Sequence, residues 1–255
     1  MSKQSETTLV TFLLDRSSSM GSCLDSTIEA FNGYVEELKR AATPILFTFL
    51  QFDANAGCEI NKVHFEKPIK DVSDIDRSSY QPRGSTPLIE AATKTIHALD
   101  AALKTKADKP KVVVCIQTDG EENCSGHEYT WAALKALIEA RTKDGWQFNF
   151  MGASIDAYDQ GQKMGIAVAS SVSYDHTDKR ATRAAFAASA SNTASFAAGM
   201  SANTSYSAAQ KRASGDKWDP SAGAHQVHVP LSGSLDLTTG GSHSVPTSSP
   251  LDLTQ

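Results

Sequence analysis

The sequence predicts an α/β protein with a doubly wound, mostly parallel β-sheet, helices on both of its faces and an extended C-terminal tail. Short apolar runs rich in β-branched and aromatic residues alternate with longer segments whose apolar residues recur every three or four positions. The first pattern is typical of buried strands and the second of amphipathic helices, and their alternation is typical of parallel sheets. With 255 residues, of which 40% are hydrophobic, the chain is long enough for one sizeable domain.

The first half of the chain contains three predicted strands and one predicted helix. A continuous apolar run at 8–14 (TLVTFLL) predicts a buried strand. The next segment predicts a helix, because its apolar residues recur at steps of four and three. These residues are Leu24, Ile28, Phe31, Val35 and Leu38. A second strand is predicted at 44–52 (PILFTFLQF), and the alternating run at 58–66 can return antiparallel to it through a turn at 55–57.

The second half repeats the alternation of helix and strand. The segment GSTPLIEAATKTIHALDAAL predicts a helix with Thr86 as its N-cap and Pro87 at its first position. A buried strand at 111–118 (KVVVCIQT) follows, and an aspartate comes after it as in the first strand. The remaining predicted elements are a helix at 128–143 ended by Gly145, a strand at 146–153, a short helix at 156–164 ended by Gly165, a strand at 166–174, and an alanine-rich helix at 178–200.

Charge and hydropathy argue against two classes of partner. The formal net charge is −5, with no dense run of Lys or Arg, whereas nucleic-acid-binding proteins usually carry a basic face. No apolar run approaches the ~20 residues of a membrane span, and the amino terminus lacks the apolar core of a signal peptide. The spacing of the four cysteines matches no zinc or redox pattern. We therefore expect a cytoplasmic protein without nucleic-acid or membrane partners.

The composition changes after the last predicted helix, and we divide the chain into a domain at 1–200 and a low-complexity tail at 201–255. Between residues 213 and 255, Ser, Thr, Gly and Pro supply 21 of 43 residues, so this segment is too polar to form a core of its own. The tail contains an internal repeat, SLDLT at 234–238 and PLDLT at 250–254. Either this repeat is a docking motif for another protein, or it arose by chance in a low-complexity sequence.

Hydroxyl and carboxylate side chains gather at the predicted carboxyl ends of two strands. The sequence DRSSSM places Asp15, Ser17 and Ser19 at alternate positions after the first strand, where a turn can direct all three to one point. Thr86 offers another oxygen at a helix start, and Asp119 offers a second carboxylate after a later strand. Doubly wound sheets bind ligands at the carboxyl ends of their strands. Because oxygen donors of this kind suit Mg²⁺, we predict a metal site formed by these five residues.

This pattern resembles the metal-ion-dependent adhesion site (MIDAS) of von Willebrand factor type A domains. The resemblance rests on DRSSSM, GSTPL and QTDGEEN, in that order along the chain, and it covers about residues 7–200. Its motifs are most similar to those of stand-alone bacterial and bacteriophage members of the family. The resemblance implies a Rossmann-like fold, in which one central, mostly parallel sheet has a single antiparallel edge strand.

The resemblance also implies how the site works. Ser17, Ser19 and either Thr86 or an aspartate would contact the metal directly, and waters would bridge the rest. Because few negative ligands would touch the ion, it would stay electrophilic, and one coordination position would be left for an Asp or Glu of a protein partner. Mg²⁺ is the expected cofactor, with Mn²⁺ as a substitute. Bacterial members often act beside a MoxR-type AAA+ ATPase, which the resemblance therefore implies as a candidate partner.

The expected function is a metal-dependent protein-binding module rather than an enzyme. One alternative is a structural or assembly protein of a phage or bacterial complex, tethered by its tail. Another is a Mg²⁺-dependent phosphoryl-transfer enzyme. Phosphatases of the haloacid dehalogenase type need a second aspartate where this chain has Ser17, and the chain has no GxxxxGK[ST] phosphate loop. Near the site, Glu121 and Glu122 are interpreted as a solvated acidic rim, and Cys124 with His127 lacks the further ligands of a zinc site.

Overall fold

The computed structural model describes residues 7–217, in which a six-stranded β-sheet lies between helices. The strands are β1 (Thr8–Asp15), β2 (Ile45–Ala54), β3 (Cys58–Pro68), β4 (Lys111–Thr118), β5 (Gln147–Ala153) and β6 (Ser171–Tyr174). The helices are α1 (Leu24–Lys39), α2 (Leu88–Lys104), α3 (Trp131–Lys143), α4 (Ala157–Met164), α5 (Lys179–Ala197) and α6 (Ala208–Ala213). None of these helices has the length and apolar content needed to cross a bilayer.

The order of the strands across the sheet is β3-β2-β1-β4-β5-β6. β1 pairs in parallel with both β2 and β4, and β5 and β6 continue the parallel arrangement. Among the described strands only β3 runs antiparallel, at one edge. The predicted fold class, a doubly wound and mostly parallel sheet with one antiparallel edge strand, is therefore confirmed. Because the chain builds outwards from β1 in one direction and returns to its other side with β4, the crevice between the carboxyl ends of these two strands is the expected ligand site.

β1 is buried over its whole length because helices cover both faces of the sheet. Val10, Phe12 and Leu14 belong to one apolar cluster with residues of α1 and α5. Leu9 and Leu13 belong to a second apolar cluster with residues of α2, α3 and α4. A strand that is covered on both faces needs apolar side chains at odd and even positions alike, which explains why the apolar residues of β1 do not alternate with exposed polar ones.

The ring of Phe12 holds two helices against the sheet. Its centroid lies 5.3 Å from that of Phe31 and 4.9 Å from that of Tyr34, both in α1, and 5.8 Å from that of Phe186 in α5. Burial of an aromatic ring of this kind stabilises a fold by about 1.5–3 kcal/mol. These contacts position α1, and with it the loop that joins β1 to α1.

Several predicted element bounds differ from the structure by a few residues. α2 begins at Leu88, and its N-cap is Pro87 rather than Thr86. α3 begins at Trp131 rather than at 128, and the last strand is limited to Ser171–Tyr174 because a 3-10 turn precedes it. Apolar periodicity locates a helix or a strand, but the hydrogen bonds that end it come from tertiary contacts that periodicity does not contain.

Residues 201–217 pack on the domain, although composition alone placed the start of the tail at residue 201. The hydroxyl of Thr204 is buried and donates a hydrogen bond to Asn149 Oδ1 at 2.5 Å. Lys211 is also buried, and its Nζ donates to the backbone oxygen of Val168 at 2.8 Å. The LDLT repeat of the predicted tail lies outside the described residues.

Gly84 lies in the loop before α2, at a position where the backbone leaves no room for a side chain. Its φ is +66°, and a Cβ placed on it would lie 2.2 Å from the backbone oxygen of Ala54. That oxygen accepts a hydrogen bond from the backbone N–H of Ser85 at 2.9 Å, and the N–H of Ala54 donates to the backbone oxygen of Ser85 at 3.0 Å. These two hydrogen bonds join the loop to the end of β2.

We expect Gly84→Ala to lower the free energy of unfolding by about 2–4 kcal/mol, because the left-handed backbone and the clash both oppose a side chain. Denaturant unfolding measures this change. Gly33→Ala is the matched control, since Gly33 is exposed in α1 and a Cβ there meets nothing within 4 Å. The control should be as stable as wild type or slightly more stable. Equal losses in the two variants would contradict the role assigned to Gly84.

Candidate metal centre

The five predicted metal-binding residues lie at the carboxyl edge of the sheet, one at the end of β1 and four in three loops. Asp15 is the last residue of β1, and Asp119 directly follows β4, the neighbouring strand. Ser17 and Ser19 lie at the start of the connection from β1 to α1, and Thr86 lies just before α2. Because β1 and β4 are adjacent and parallel, the sheet itself brings the two carboxylates to the same crevice.

Short hydrogen bonds connect four of these residues. Asp15 Oδ1 accepts a hydrogen bond from the backbone N–H of Ser17 at 2.6 Å, and Asp15 Oδ2 accepts one from the hydroxyl of Thr118 at 2.5 Å. The hydroxyl oxygens of Ser17 and Ser19 are 3.0 Å apart. The hydroxyl of Ser19 donates to Asp119 Oδ1 at 2.7 Å. Hydrogen bonds therefore connect the end of β1 to the end of β4 through Ser17 and Ser19.

Thr86 borders the same space from the third loop. It is 2% exposed, and its hydroxyl faces Gly120, the residue after Asp119. A Cβ placed on Gly120 would lie 2.9 Å from Thr86 Oγ1 and 3.7 Å from Ser19 Oγ. The two hydroxyls thus border one small space, which stays open because position 120 has no side chain.

Burial makes both carboxyl groups of this cluster harder to ionise. Asp15 has no exposed surface, and desolvation raises its pKa to about 7, even though the hydrogen bond from Thr118 acts in the opposite direction. Desolvation also raises the pKa of Asp119, against the effects of the hydrogen bond from Ser19 and of the nearby His176. Ionisation of both groups in this crevice would therefore be favoured by a positive charge close to them.

A hard divalent cation fits this set of donors. Hydroxyl and carboxylate oxygens are the ligands that such ions prefer. Within residues 7–217, no Lys or Arg forms an ion pair with Asp15 or Asp119. The same residues contain no group of three or more His, Cys, Asp or Glu that could hold a metal. Serine and threonine hydroxyls would therefore have to supply much of the coordination here.

Arg16 follows Asp15 in sequence but pairs with a different carboxylate. Its Nε donates to Asp53 Oδ2 at 2.5 Å, and Nε of Arg83 donates to the same oxygen at 3.1 Å. The side chain of Asp53 is fully buried at the carboxyl end of β2. This cluster was not predicted from the sequence, although an aspartate directly follows the predicted strand at 44–52.

Backbone hydrogen bonds hold the loop between β1 and α1 (residues 16–23, the serine loop) against the loop before α2. The N–H of Arg83 donates to the backbone oxygen of Arg16 at 2.7 Å, and the N–H of Ser18 donates to the backbone oxygen of Gly84 at 3.1 Å. Together with the ion pairs to Asp53, these bonds fix the position of Thr86 relative to the serines. The loop after β1 and the loop before α2 are therefore joined directly by hydrogen bonds.

The loop after Asp119 holds Thr86 and the first turn of α2. Asn123 Oδ1 accepts a hydrogen bond from the backbone N–H of Thr86 at 2.9 Å, and the N–H of Asn123 donates to the backbone oxygen of Thr86 at 3.2 Å. The carboxylate of Glu122 accepts from the N–H of Ile89 at 2.8 Å, and so caps α2. The interpretation of Glu122 as a solvated rim residue is therefore wrong. Because Glu122 caps the helix, the hydroxyl of Thr86 remains available to the site.

Solved structures with the same fold share little sequence with this chain. The pilus adhesin SpaC from Lactobacillus rhamnosus GG, in its open conformation, is 12% identical, with a TM-score of 0.56 over 77% of this chain and 30% of that one. A von Willebrand factor type A protein from Catenulispora acidiphila is 13% identical, with a TM-score of 0.52 over 74% and 43%. Proximal thread matrix protein 1 from the mussel byssus, with a zinc-occupied MIDAS motif, is 12% identical, with a TM-score of 0.50 over 75% and 49%.

These comparisons show the fold: the chain has the fold of a von Willebrand factor type A domain. It spans less than half the length of each of these three structures. No protein-family model matches the sequence, and no curated protein matches it.

We expect Asp53→Asn to destabilise the protein by about 3 kcal/mol, because it removes the negative partner of a largely buried guanidinium. Urea unfolding measures the loss. Asp25→Asn is the matched control, since the Asp25 carboxylate pairs with Arg77 on the exposed surface. The control should unfold at the wild-type midpoint, because exposed ion pairs contribute little. Wild-type stability of Asp53→Asn would show that the ion pair does not support the site.

Proposed function

We propose, on the premise of the von Willebrand factor type A fold, that the protein is a metal-dependent binding module for an acidic side chain of a protein partner. The observation that carries the proposal is the convergence of three hydroxyls and two carboxylates at the crevice between β1 and β4. The solved structures support it, because they include a pilus adhesin and a byssus protein whose MIDAS motif holds zinc.

Neutral oxygens would form much of the coordination. Ser17, Ser19 and Thr86 would supply hydroxyls, and Asp15 and Asp119 would contribute charge directly or through bound water. A cation held mainly by neutral donors offers an open coordination position to a carboxylate of the partner. We propose Mg²⁺ as the resident ion and Mn²⁺ as its substitute, since both prefer oxygen ligands.

We propose that the site has no catalytic activity. Ser17 occupies the position where phosphoryl-transfer enzymes of the haloacid dehalogenase type need an aspartate as general acid, and a serine hydroxyl is far too weak an acid for that role. In the part of the chain that the structure describes, no histidine forms a hydrogen bond with Ser17 or Ser19. A serine without a histidine beside it is a poor nucleophile, and we propose Asp119, the carboxyl group that accepts from Ser19, as a metal ligand rather than a general base.

The family resemblance supports two further proposals about cellular context. The protein would act in the cytoplasm of a bacterium or as a bacteriophage product, and a MoxR-type AAA+ ATPase is a candidate partner. A partner that inserts one desolvated carboxylate into the site would depend strongly on that side chain.

We expect Thr86→Ala to weaken Mn²⁺ binding at least tenfold, because it deletes one hydroxyl donor from a site with few charged ligands. The electron paramagnetic resonance signal of free Mn²⁺ measures the affinity. Glu121→Gln is the matched control, since this exposed carboxylate lies in the loop after Asp119 and should not contribute to the site.

The same two variants should differ in pull-downs from bacterial extract, where wild type and control retain proteins in Mg²⁺ and release them in EDTA. Unchanged metal binding by Thr86→Ala would refute the metal site, and unchanged capture in EDTA would refute its role in binding.

A second prediction concerns Gly120. We expect Gly120→Ala to weaken Mn²⁺ binding while leaving the unfolding midpoint close to that of wild type, because the new methyl group would press on the hydroxyl of Thr86. Mn²⁺ titration and thermal unfolding measure the two effects. Gly21→Ala is the control in the serine loop, since a Cβ there meets nothing within 4 Å, and it should bind Mn²⁺ as wild type does. Wild-type affinity in Gly120→Ala would mean that the space beside Gly120 does not hold the ion.

A further inference from the structure

We propose that the metal centre binds an aspartate of the protein's own C-terminal segment, Asp236 or Asp252 of the two LDLT repeats. This inference rests on the proposed function, because it names the chain itself as one source of the acidic ligand. Each repeat carries a single aspartate between two leucines. Residues 218–255 contain no Lys or Arg, so neither aspartate has a lysine or arginine near it in sequence.

The described chain ends beside the metal centre rather than at the opposite end of the molecule. Asp216 Oδ2 accepts a hydrogen bond from the backbone N–H of Ser173 at 3.1 Å, and the backbone oxygen of Ser214 accepts one from Asp175 at 3.4 Å. Ser173 belongs to the end of β6, which runs parallel to β5 and therefore to β4 and β1. The segment after Lys217 thus begins at the carboxyl edge of the sheet, where Asp15 and Asp119 lie.

The distance across the sheet from the end of β6 to the crevice between β1 and β4 is short. Only β5 separates β6 from β4, and neighbouring strands lie about 4.8 Å apart, so the crevice is about 10–15 Å from the end of β6. His176, which follows β6, is near enough to Asp119 for its charge to lower the pKa of that carboxyl group. The point where the segment leaves the domain is therefore one loop away from the candidate ligands.

The length of the segment decides which of its aspartates can reach the crevice. A chain spans at most about 3.3–3.6 Å per residue. Asp236 and Asp252 lie 19 and 35 residues beyond Lys217, and both can reach the crevice without full extension. The two aspartates of the repeats therefore satisfy the geometric requirement.

Binding of this segment would compete with an external partner. A ligand on the same chain is present at an effective concentration on the order of 1 mM when its linker spans the distance. A partner carboxylate would then have to displace an internal aspartate from the metal. The LDLT repeats would thus determine how tightly a partner must bind in order to displace them from the metal.

The test measures how well full-length protein binds a labelled copy of its own repeat. A fluorescent peptide SGSLDLTTG is titrated with protein in Mn²⁺, and binding is followed by anisotropy. We expect the double variant Asp236→Asn/Asp252→Asn to bind this peptide about tenfold more tightly than wild type, because the internal competitor is lost. Asp219→Asn removes the same charge outside the repeats and should bind as wild type does. The peptide SGSLNLTTG, EDTA and Thr86→Ala should each abolish binding.

Three results would overturn the inference. Equal affinity of wild type and the double variant, or absence of peptide binding to both, would show that the repeats do not occupy the site. Peptide binding that persists in Thr86→Ala would place the repeat elsewhere on the protein. Sedimentation of wild type as a dimer that dissociates in the double variant would assign the aspartate to a second copy rather than to the same chain. If Thr86→Ala loses Mn²⁺ while the peptide fails to bind any variant, this inference fails and the proposed metal-dependent function remains.

Discussion

The contact between the Arg16 guanidinium and the buried carboxylate of Asp53 governs the chemistry of the candidate site. Arg16 directly follows Asp15 and is the nearest cation in sequence that could neutralise it. Asp53 instead holds the guanidinium at 2.5 Å, so the neighbours that hydrogen-bond to Asp15 are hydroxyl and amide groups. A buried carboxylate without a cation is costly unless it takes up a proton or a positive charge comes from outside the fold, and the raised pKa of Asp15 reflects this cost. The ion pair inside the protein thus leaves Asp15 without a cation from the described residues, which supports the proposal of a metal ion at this edge.

Apolar pattern and strand-end residues were sufficient to predict the sheet and the five candidate ligands. Alternation of apolar runs with helical periodicity indicates a parallel sheet, and parallel strands bring their carboxyl ends to one edge. Residues that directly follow two such strands therefore meet, which is why Asp15 and Asp119 could be placed together from sequence. Their roles as metal ligands remain a prediction, since the geometry brings the oxygens together without identifying what they bind.

Other features of the site depend on contacts between residues far apart in sequence, and no local pattern reveals these. Thr86 is a good N-cap by residue type, yet Glu122 from another loop caps α2 in its place. Asn123 binds both backbone groups of Thr86. Helix-capping preference predicts that the Thr86 hydroxyl accepts a hydrogen bond from the first turn of α2. In the structure, Glu122 accepts that hydrogen bond instead, so the Thr86 hydroxyl can face the site. The packing of residues 201–217 was missed for a related reason, because a polar composition does not exclude a few buried anchors such as Thr204.

The orientation of β1 has a practical consequence for experiments on this protein. β1 starts at the edge of the sheet remote from Asp15, so an affinity tag or a surface linker fused ahead of Thr7 projects away from the binding face. A fusion after Lys217 would instead hang beside that face and could shield it. Immobilisation through the amino-terminal end is therefore the arrangement that displays the crevice to soluble ligands in a biosensor.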